Sequence, residues 1–344
     1  NTGAVSGYNN GVTKGYPGIT MMNANNPTDA NWFNAQNKAK NFNNFDITAL
    51  GKYQIASFSD ADFGYARKNR APNIYELYSW AGQSPASQAG KISMPVMMDM
   101  RMIGWAGDGN GYTGNLNLKA ETANIISATI AFHDEAEKDW LIKATPYYNY
   151  IQNYIDVNVI GQNQTGFNTT GYYKNVGINM LQFANHDAVM FGLDAAAEYN
   201  IIKSADFGDW KTKGTLGYVR GYRTDGYNLY HLMPINGKVS LENRYGNLQS
   251  AIDIQGVGTK SATESLRLEQ STPGYALMDF RTSYDFSNVL RIDFAITNLL
   301  DKSYWQPLGG VNIAALNVQT PTAKNFSNVS GEGRSYNFGV SLKF

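Results

Sequence analysis

Residues 335–344 constrain this chain more than any other stretch. They read Ser-Tyr-Asn-Phe-Gly-Val-Ser-Leu-Lys-Phe. Tyr336, Phe338, Val340, Leu342 and Phe344 share one face of an extended segment, and Ser335, Asn337, Gly339, Ser341 and Lys343 share the other. A period of 2 cannot arise on a helix, whose faces recur every 3.6 residues. Such a strand spans roughly 33 Å, at about 3.3 Å per residue. A tilt near 40° reduces that to about 25 Å, the height of the apolar band of an outer-membrane barrel. The aromatic residue that ends it also lies on the apolar face, as expected of a strand that meets lipid.

The same alternation recurs upstream. It predicts strands over 46–55, 62–67, 122–133, 140–155, 185–201, 210–223, 236–245, 248–257, 275–284 and 289–298. In 185–201, Val189, Phe191, Leu193, Ala195, Ala197 and Tyr199 oppose Asp194 and Glu198. Pro146 cannot donate to a ladder and predicts a bulge. The turns around 134–139, 202–209, 246–247 and 285–288 are short and polar, whereas the links 68–120, 156–184, 224–235, 258–273 and 299–333 are long. Short turns at one end and long loops at the other are the pattern of a transmembrane barrel. With the terminal strand the count is about eleven. A closed antiparallel barrel in one bacterial chain needs an even number, so an upstream half is expected to be missing.

Composition agrees. No run of 18 apolar residues exists, which excludes a transmembrane helix. The negative mean hydropathy is compatible with barrel strands, whose polar face cancels the apolar one. Lys plus Arg and Asp plus Glu number 28 each, and no basic stripe is present, so nucleic acid is not an expected partner. The absence of Cys removes disulfides and thiolate metal sites. The first residues carry neither a Met start nor a signal peptide, as in a mature product or a fragment.

Four short motifs, in order, resemble the carboxy-terminal part of TonB-dependent outer-membrane receptors. Arg70-Ala71-Pro72-Asn73-Ile74-Tyr75-Glu76-Leu77-Tyr78 is similar to the segment that opens a large outer loop. Asn117-Leu118-Lys119-Ala120-Glu121 is similar to the return into the next strand, with Ala in the usual Pro position. Thr297-Asn298-Leu299-Leu300-Asp301-Lys302-Ser303-Tyr304 resembles the end of the penultimate strand, and Gly333-Arg334-Ser335-Tyr336 the start of the last. The stretches 103–114, 183–188 and 308–310 resemble the branch that includes copper and related zinc receptors.

The resemblance implies an all-β fold, a transmembrane antiparallel β-barrel of 22 strands. About the last eleven would lie here, with the amino-terminal plug upstream. Residues 1–45 are then expected to be a polar extracellular loop, and 46–344 the carboxy-terminal half of the barrel. It also implies residence in the bacterial outer membrane, among lipid and lipopolysaccharide. The TonB energy-coupling complex would be engaged through the missing amino-terminal part. The implied function is active import of a scarce metal ion, copper first, or of a metal chelate. A siderophore or haem receptor of the same family is the alternative, and a barrel enzyme or adhesin is a more distant one.

Met94, Met97, Met98, Met100 and Met102 fall within nine residues of a chain with 11 Met. Thioethers are soft donors that suit Cu(I), although Met also fills irregular apolar gaps. His231 and Met233 form a second soft pair, and His186 is expected to face inward near the outer mouth. In the copper branch the principal ligands are expected in the plug and upstream loops. Gly107-Asp108-Gly109-Asn110-Gly111 lacks the acids of an EF-hand. Neither a nucleophile elbow nor a phosphate loop occurs. No catalytic residue and no resident cofactor are expected.

Overall fold

The computed structural model describes residues 12–13, 16–17, 36–79, 108, 110–136, 139–168, 171–310 and 328–342; at 12–13, 16–17, 160–168, 171–178 and 180 it describes the backbone alone. A short hairpin, β1 (Val12–Thr13) and β2 (Tyr16–Pro17), stands apart. One antiparallel meander then holds β3 (Ile47–Ala56), β4 (Ser59–Arg70), β6 (Glu121–His133), β7 (Trp140–Asn168), β8 (Gly171–Ile202), β9 (Asp209–Arg223), β10 (Asn236–Tyr245), β11 (Leu248–Val257), β12 (Tyr275–Asp285), β13 (Leu290–Thr297) and β14 (Ser335–Leu342). One-turn helix α1 (Ile74–Tyr78) and strand β5 (Gly111–Thr113), which pairs parallel with β8, lie in the long link between β4 and β6.

The meander has eleven strands, as the alternation predicts, and its two outermost, β3 and β14, do not pair with each other. Both run in the same direction, so an antiparallel ladder cannot join them.

Directly paired residues share a sheet face. Tyr65, Ile126, Tyr148, Phe191 and Arg220 follow one another across β4, β6, β7, β8 and β9. Further along, Ile252, Phe280, Ile296 and Tyr336 do the same across β11 to β14. Side chains of this face are widely exposed: Ile126 61%, Phe338 71% and Val340 55%. An exposed apolar sheet of this extent is stable only against lipid. Tyr and Phe gather at both of its margins, for example Tyr218 and Tyr222 at the loop end and Tyr199 and Tyr284 at the turn end, as in the aromatic girdles of membrane barrels.

The other face is polar and lines the lumen. Asp194 lies opposite Thr145 and Gly217, and Glu198 opposite Lys213, so both acids oppose the apolar set of β8. Lys213 meets Glu242 at 2.8 Å, and Arg281 joins Glu242 at 2.6 Å and Asp253 at 3.0 Å.

Two expectations are overturned. Residues 156–184, read as loop, belong almost entirely to β7 and β8, which extend far past the other strands. Val157, Leu181 and Phe183 pack on protein rather than lipid, and β5 covers the edge of β8 at 180–182, so alternation does not report lipid at these positions. Pro146 causes no bulge: Ser127↔Tyr147 and Ile130↔Ala144 keep one register on either side of it. The β6 ladder is merely interrupted where the proline lacks an N–H. The first register shift along β7 falls instead between Ile151 and Tyr154, where Asn153 adopts φ 54, and further shifts follow beyond Val159.

Candidate functional site

The long loops meet at the outer rim, and the motif residues join them. Asn73 caps α1, its Oδ1 accepting from Tyr75 N and Glu76 N at 2.9 Å, while Glu76 Oε2 accepts from Asn73 N at 2.8 Å. This reciprocal pair is a capping box. Arg70 donates to Glu76 at 2.9 Å and to Glu121 at 2.6 Å, and Glu121 accepts from Ile155 N at 2.5 Å. The excursion from Arg70 to Glu121 therefore starts and ends at one ion pair. Gly114 passes so close to α1 that a Cβ there would lie 2.7 Å from the Leu77 carbonyl oxygen.

β5 then covers the free edge of β8 above the end of β9, with Gly111, Tyr112 and Thr113 opposite Met180, Leu181 and Gln182. An uncovered edge of that length would invite pairing with other chains. Beside it Leu77, Tyr112, Leu118, Ile155, Val157, Leu181 and Phe183 form a dry cluster. Each fully buried side chain of this kind contributes about 1.5–3 kcal/mol.

Next to the cluster is a buried charge network. One carboxylate, Asp156, serves two guanidiniums: Arg267 at 2.5 Å and Arg223 at 3.1 Å. Arg223 also donates to Val157 O at 3.0 Å and to both oxygens of Asp225. Arg267 donates to the Tyr112 hydroxyl at 3.1 Å, and Tyr112 donates to Asp108. Tyr227 lies under Arg223 and Tyr230 under Arg267, each at 4.9 Å. Asn110 and Asn179 tie the same loops by bonds to Arg267 O at 2.7 Å and Leu266 O at 2.8 Å. Glu269 collects Lys260 Nζ at 2.5 Å, His231 N at 3.1 Å and Glu264 N at 2.9 Å, and Lys260 reaches Pro307 O at 3.0 Å. Four loops are thus locked into one rim.

Burial sets the protonation of this region. It raises Tyr112 well above the ordinary phenol value, with Arg267 opposing, and pushes Tyr154 up to about 12. His186 is lowered by burial and by Arg223. His231 is lowered mainly by burial, against the pull of Glu269.

The candidate ligands divide as follows. Met94, Met97, Met98, Met100 and Met102 lie outside the described residues. His186 has Nδ1 3.6 Å from Asp225, and its Nε2 is buried with no hydrogen-bond partner. His231 adopts φ 58, stacks on Tyr230 at 3.9 Å and lines a cavity of about 20 Å³ with Asp108 and Glu269. Met233 lines a different cavity, of about 400 Å³, with Arg220 and Ile235. Among the described residues no group of three His, Cys, Asp or Glu is placed to hold a metal ion. Asp156, Arg223 and Arg267 were not legible as a site, because they lie 67 and 111 residues apart with no shared spacing. A cavity of about 580 Å³ lies on the lumen wall near the short turns, lined by Arg281, Glu242, Arg291 and Asp293 among others.

A meander with an apolar outer face, a charged lumen and locked outer loops defines a membrane barrel of the receptor type. Residues 23–299 match the family model described as TonB dependent receptor-like, beta-barrel. The chain belongs to that family, whose members reside in the outer membrane. Solved structures similar to it include the copper transporter OprC, with TM-score 0.62, 17% identity, 86% of this chain and 39% of that one. The ferric enterobactin receptor PfeA of Pseudomonas aeruginosa, in complex with enterobactin, gives TM-score 0.59, 16% identity, 87% and 40%. The siderophore receptor PirA of Pseudomonas aeruginosa gives TM-score 0.51, 17% identity, 87% and 42%. The chain thus spans about two fifths of the length of these structures. No curated protein sequence matches.

Proposed function

We propose that this chain forms the carboxy-terminal half of the barrel of a TonB-dependent transporter, which imports a scarce metal ion, copper first, into the periplasm. In this reading the wall's free edges, β3 and β14, pair with strands from the rest of the receptor. The charged lumen band holds a plug, and the plug is drawn aside by the TonB complex. The chain does no chemistry on its cargo. The cluster Met94 to Met102 carries the choice of metal, because five thioethers fall within the stretch whose two ends are joined at Arg70–Glu121. Thioether softness favours Cu(I) over zinc.

The second reading is a ferric siderophore receptor, in keeping with the likeness to PfeA and PirA. The rim arginines weigh against it. Arg223 and Arg267 already share Asp156 and are paired besides with Asp225 and Glu264 respectively, with side chains 2% and 8% exposed, and offer little to an anionic chelate.

The test replaces all five Met by Leu in the intact receptor, which keeps bulk and removes sulfur. Copper uptake by cells and copper affinity are expected to fall, with receptor levels in the membrane unchanged. Unchanged uptake and affinity at normal receptor levels would leave only a packing role for the cluster.

A further inference from the structure

One row of the lumen wall carries acids that the wall itself does not pair. It starts at Asp62 of β4, which lies opposite Thr129 of β6. The Thr129 hydroxyl meets that of Thr145 on β7 at 2.9 Å. The row continues through Asp194 of β8 and Gly217 of β9 to Asn236 of β10. Asp62 and Asp194 are exposed, and among the described residues neither has an ion-pair or hydrogen-bond partner. Elsewhere on the wall acids and cations are matched. Asp60 takes Lys52 at 3.4 Å, Asp253 takes Lys238 at 3.2 Å and Asp293 takes Arg291 at 2.8 Å.

Gly217 makes a notch in this row. A Cβ there would lie 3.7 Å from Asp194 Oδ1 and 3.6 Å from the Asn236 amide, so both side chains stand over the missing one. Asn236 gives its Nδ2 to Pro234 O at 2.9 Å, which leaves Oδ1 as the atom presented to a ligand. The charges on either side of the row are unequal. Toward the rim, the adjoining inward positions are Ser127, Tyr147, Gly192 and Val219, all uncharged. Toward the turns the cations begin, with Lys143 on β7 and Lys213 on β9. A solute descending these strands meets carboxylate before it meets ammonium.

We propose that this row sorts cargo by charge, drawing a hydrated metal cation past Asp194 and the Gly217 notch and turning back an anionic chelate. Rings of acidic side chains give cation pores their preference in the same way. Carboxylate, amide and hydroxyl oxygens are hard donors, which hold a soft ion such as Cu(I) weakly. Weak holding suits a transit point, which must release what it attracts. The inference deepens the metal-ion reading above and rests on it.

The experiment follows copper uptake by cells carrying the intact receptor. Asp194→Asn is expected to lower the maximal rate about five-fold, the worth of one water-exposed charge at contact distance. The half-saturating copper concentration, set at the outer loops, should not move. Asp194→Glu keeps the charge and should retain most of the rate, and adding Asp62→Asn to Asp194→Asn should lower it further. Asp293→Asn removes an acid already paired with Arg291 and should behave as wild type. An unchanged maximal rate in Asp194→Asn overturns the inference, and so does an equal loss in Asp293→Asn. Entry through Asp194→Asn of a bulky antibiotic that wild type excludes also overturns it, because Asp194 would then anchor a plug. Reversal potentials of the intact receptor in planar bilayers, with urea used to open the lumen, separate this inference from the choice of cargo. A wild type that imports no copper sinks the copper reading alone. The row still requires that wild type pass cations in preference to anions and that the double variant lose the preference; a wild type without it overturns the inference.

Discussion

The lumen wall and the outer rim are both laced with ion pairs, yet the pairs do different things. On the wall, Arg281 is 49% exposed and Lys213 43% exposed in their contacts with Glu242. Water and salt screen such pairs, and each contributes about 0–1 kcal/mol. The wall is held by its backbone ladder and by lipid against its apolar face. At the rim, Asp156 and Arg223 are each 2% exposed. There the cost of removing charge from water is large, and only complete pairing offsets it. The same residue types therefore set the polarity of the lumen in one place and a unique loop arrangement in the other.

Breaking the rim network should have the largest effect. Asp156→Ala removes the carboxylate that two buried guanidiniums share, leaving Arg223 to half-exposed Asp225 and Arg267 to Glu264 at 3.6 Å, and should cost the rim about 3–5 kcal/mol of local stability. Hydrogen exchange should accelerate at 110–113 and 264–268 while the β10–β13 ladder stays protected. Unchanged exchange at the rim would mean that Asp156 is not its keystone.

Acid should loosen the rim less, and selectively. Burial holds His231 and His186 below the ordinary value of 6.5. An opened rim therefore binds protons more readily than a closed one. The histidines' contribution is complete above pH 6.5 and is lost as pH falls below it toward their closed-state values. Asp225, held below 3.8, titrates outside this window. Exchange at 229–232 should rise between pH 7.5 and 5.5 relative to the wall, and His231→Gln should flatten that rise. A parallel rise in the wall would erase the distinction.

The smallest effect should come from the wall itself. Lys213→Ala removes one half-exposed pair and should lower barrel stability by less than about 1 kcal/mol. A loss in thermal unfolding as large as that of Asp156→Ala would show that the wall depends on buried charge after all.

The sequence by itself determined the wall. Alternation in segments such as 289–298 and 335–344 reports which face meets lipid and which meets water, and that is local information carried at every second residue. The same local signal gave eleven strands and sorted short turns from long links. It also misled at 156–184, where the chain is extended but no longer faces two distinct solvents, and at Pro146, where a missing N–H was absorbed without a shift in register. Only the tertiary structure decided the rim. Asn73, Arg70 and Glu121 were visible as motif residues, but their joining of a loop's two ends was not. Asp156, Arg223 and Arg267 meet because the upper part of β7, the end of β9 and the link 258–273 converge, and pairing between distant charges leaves no period in the chain that supplies them.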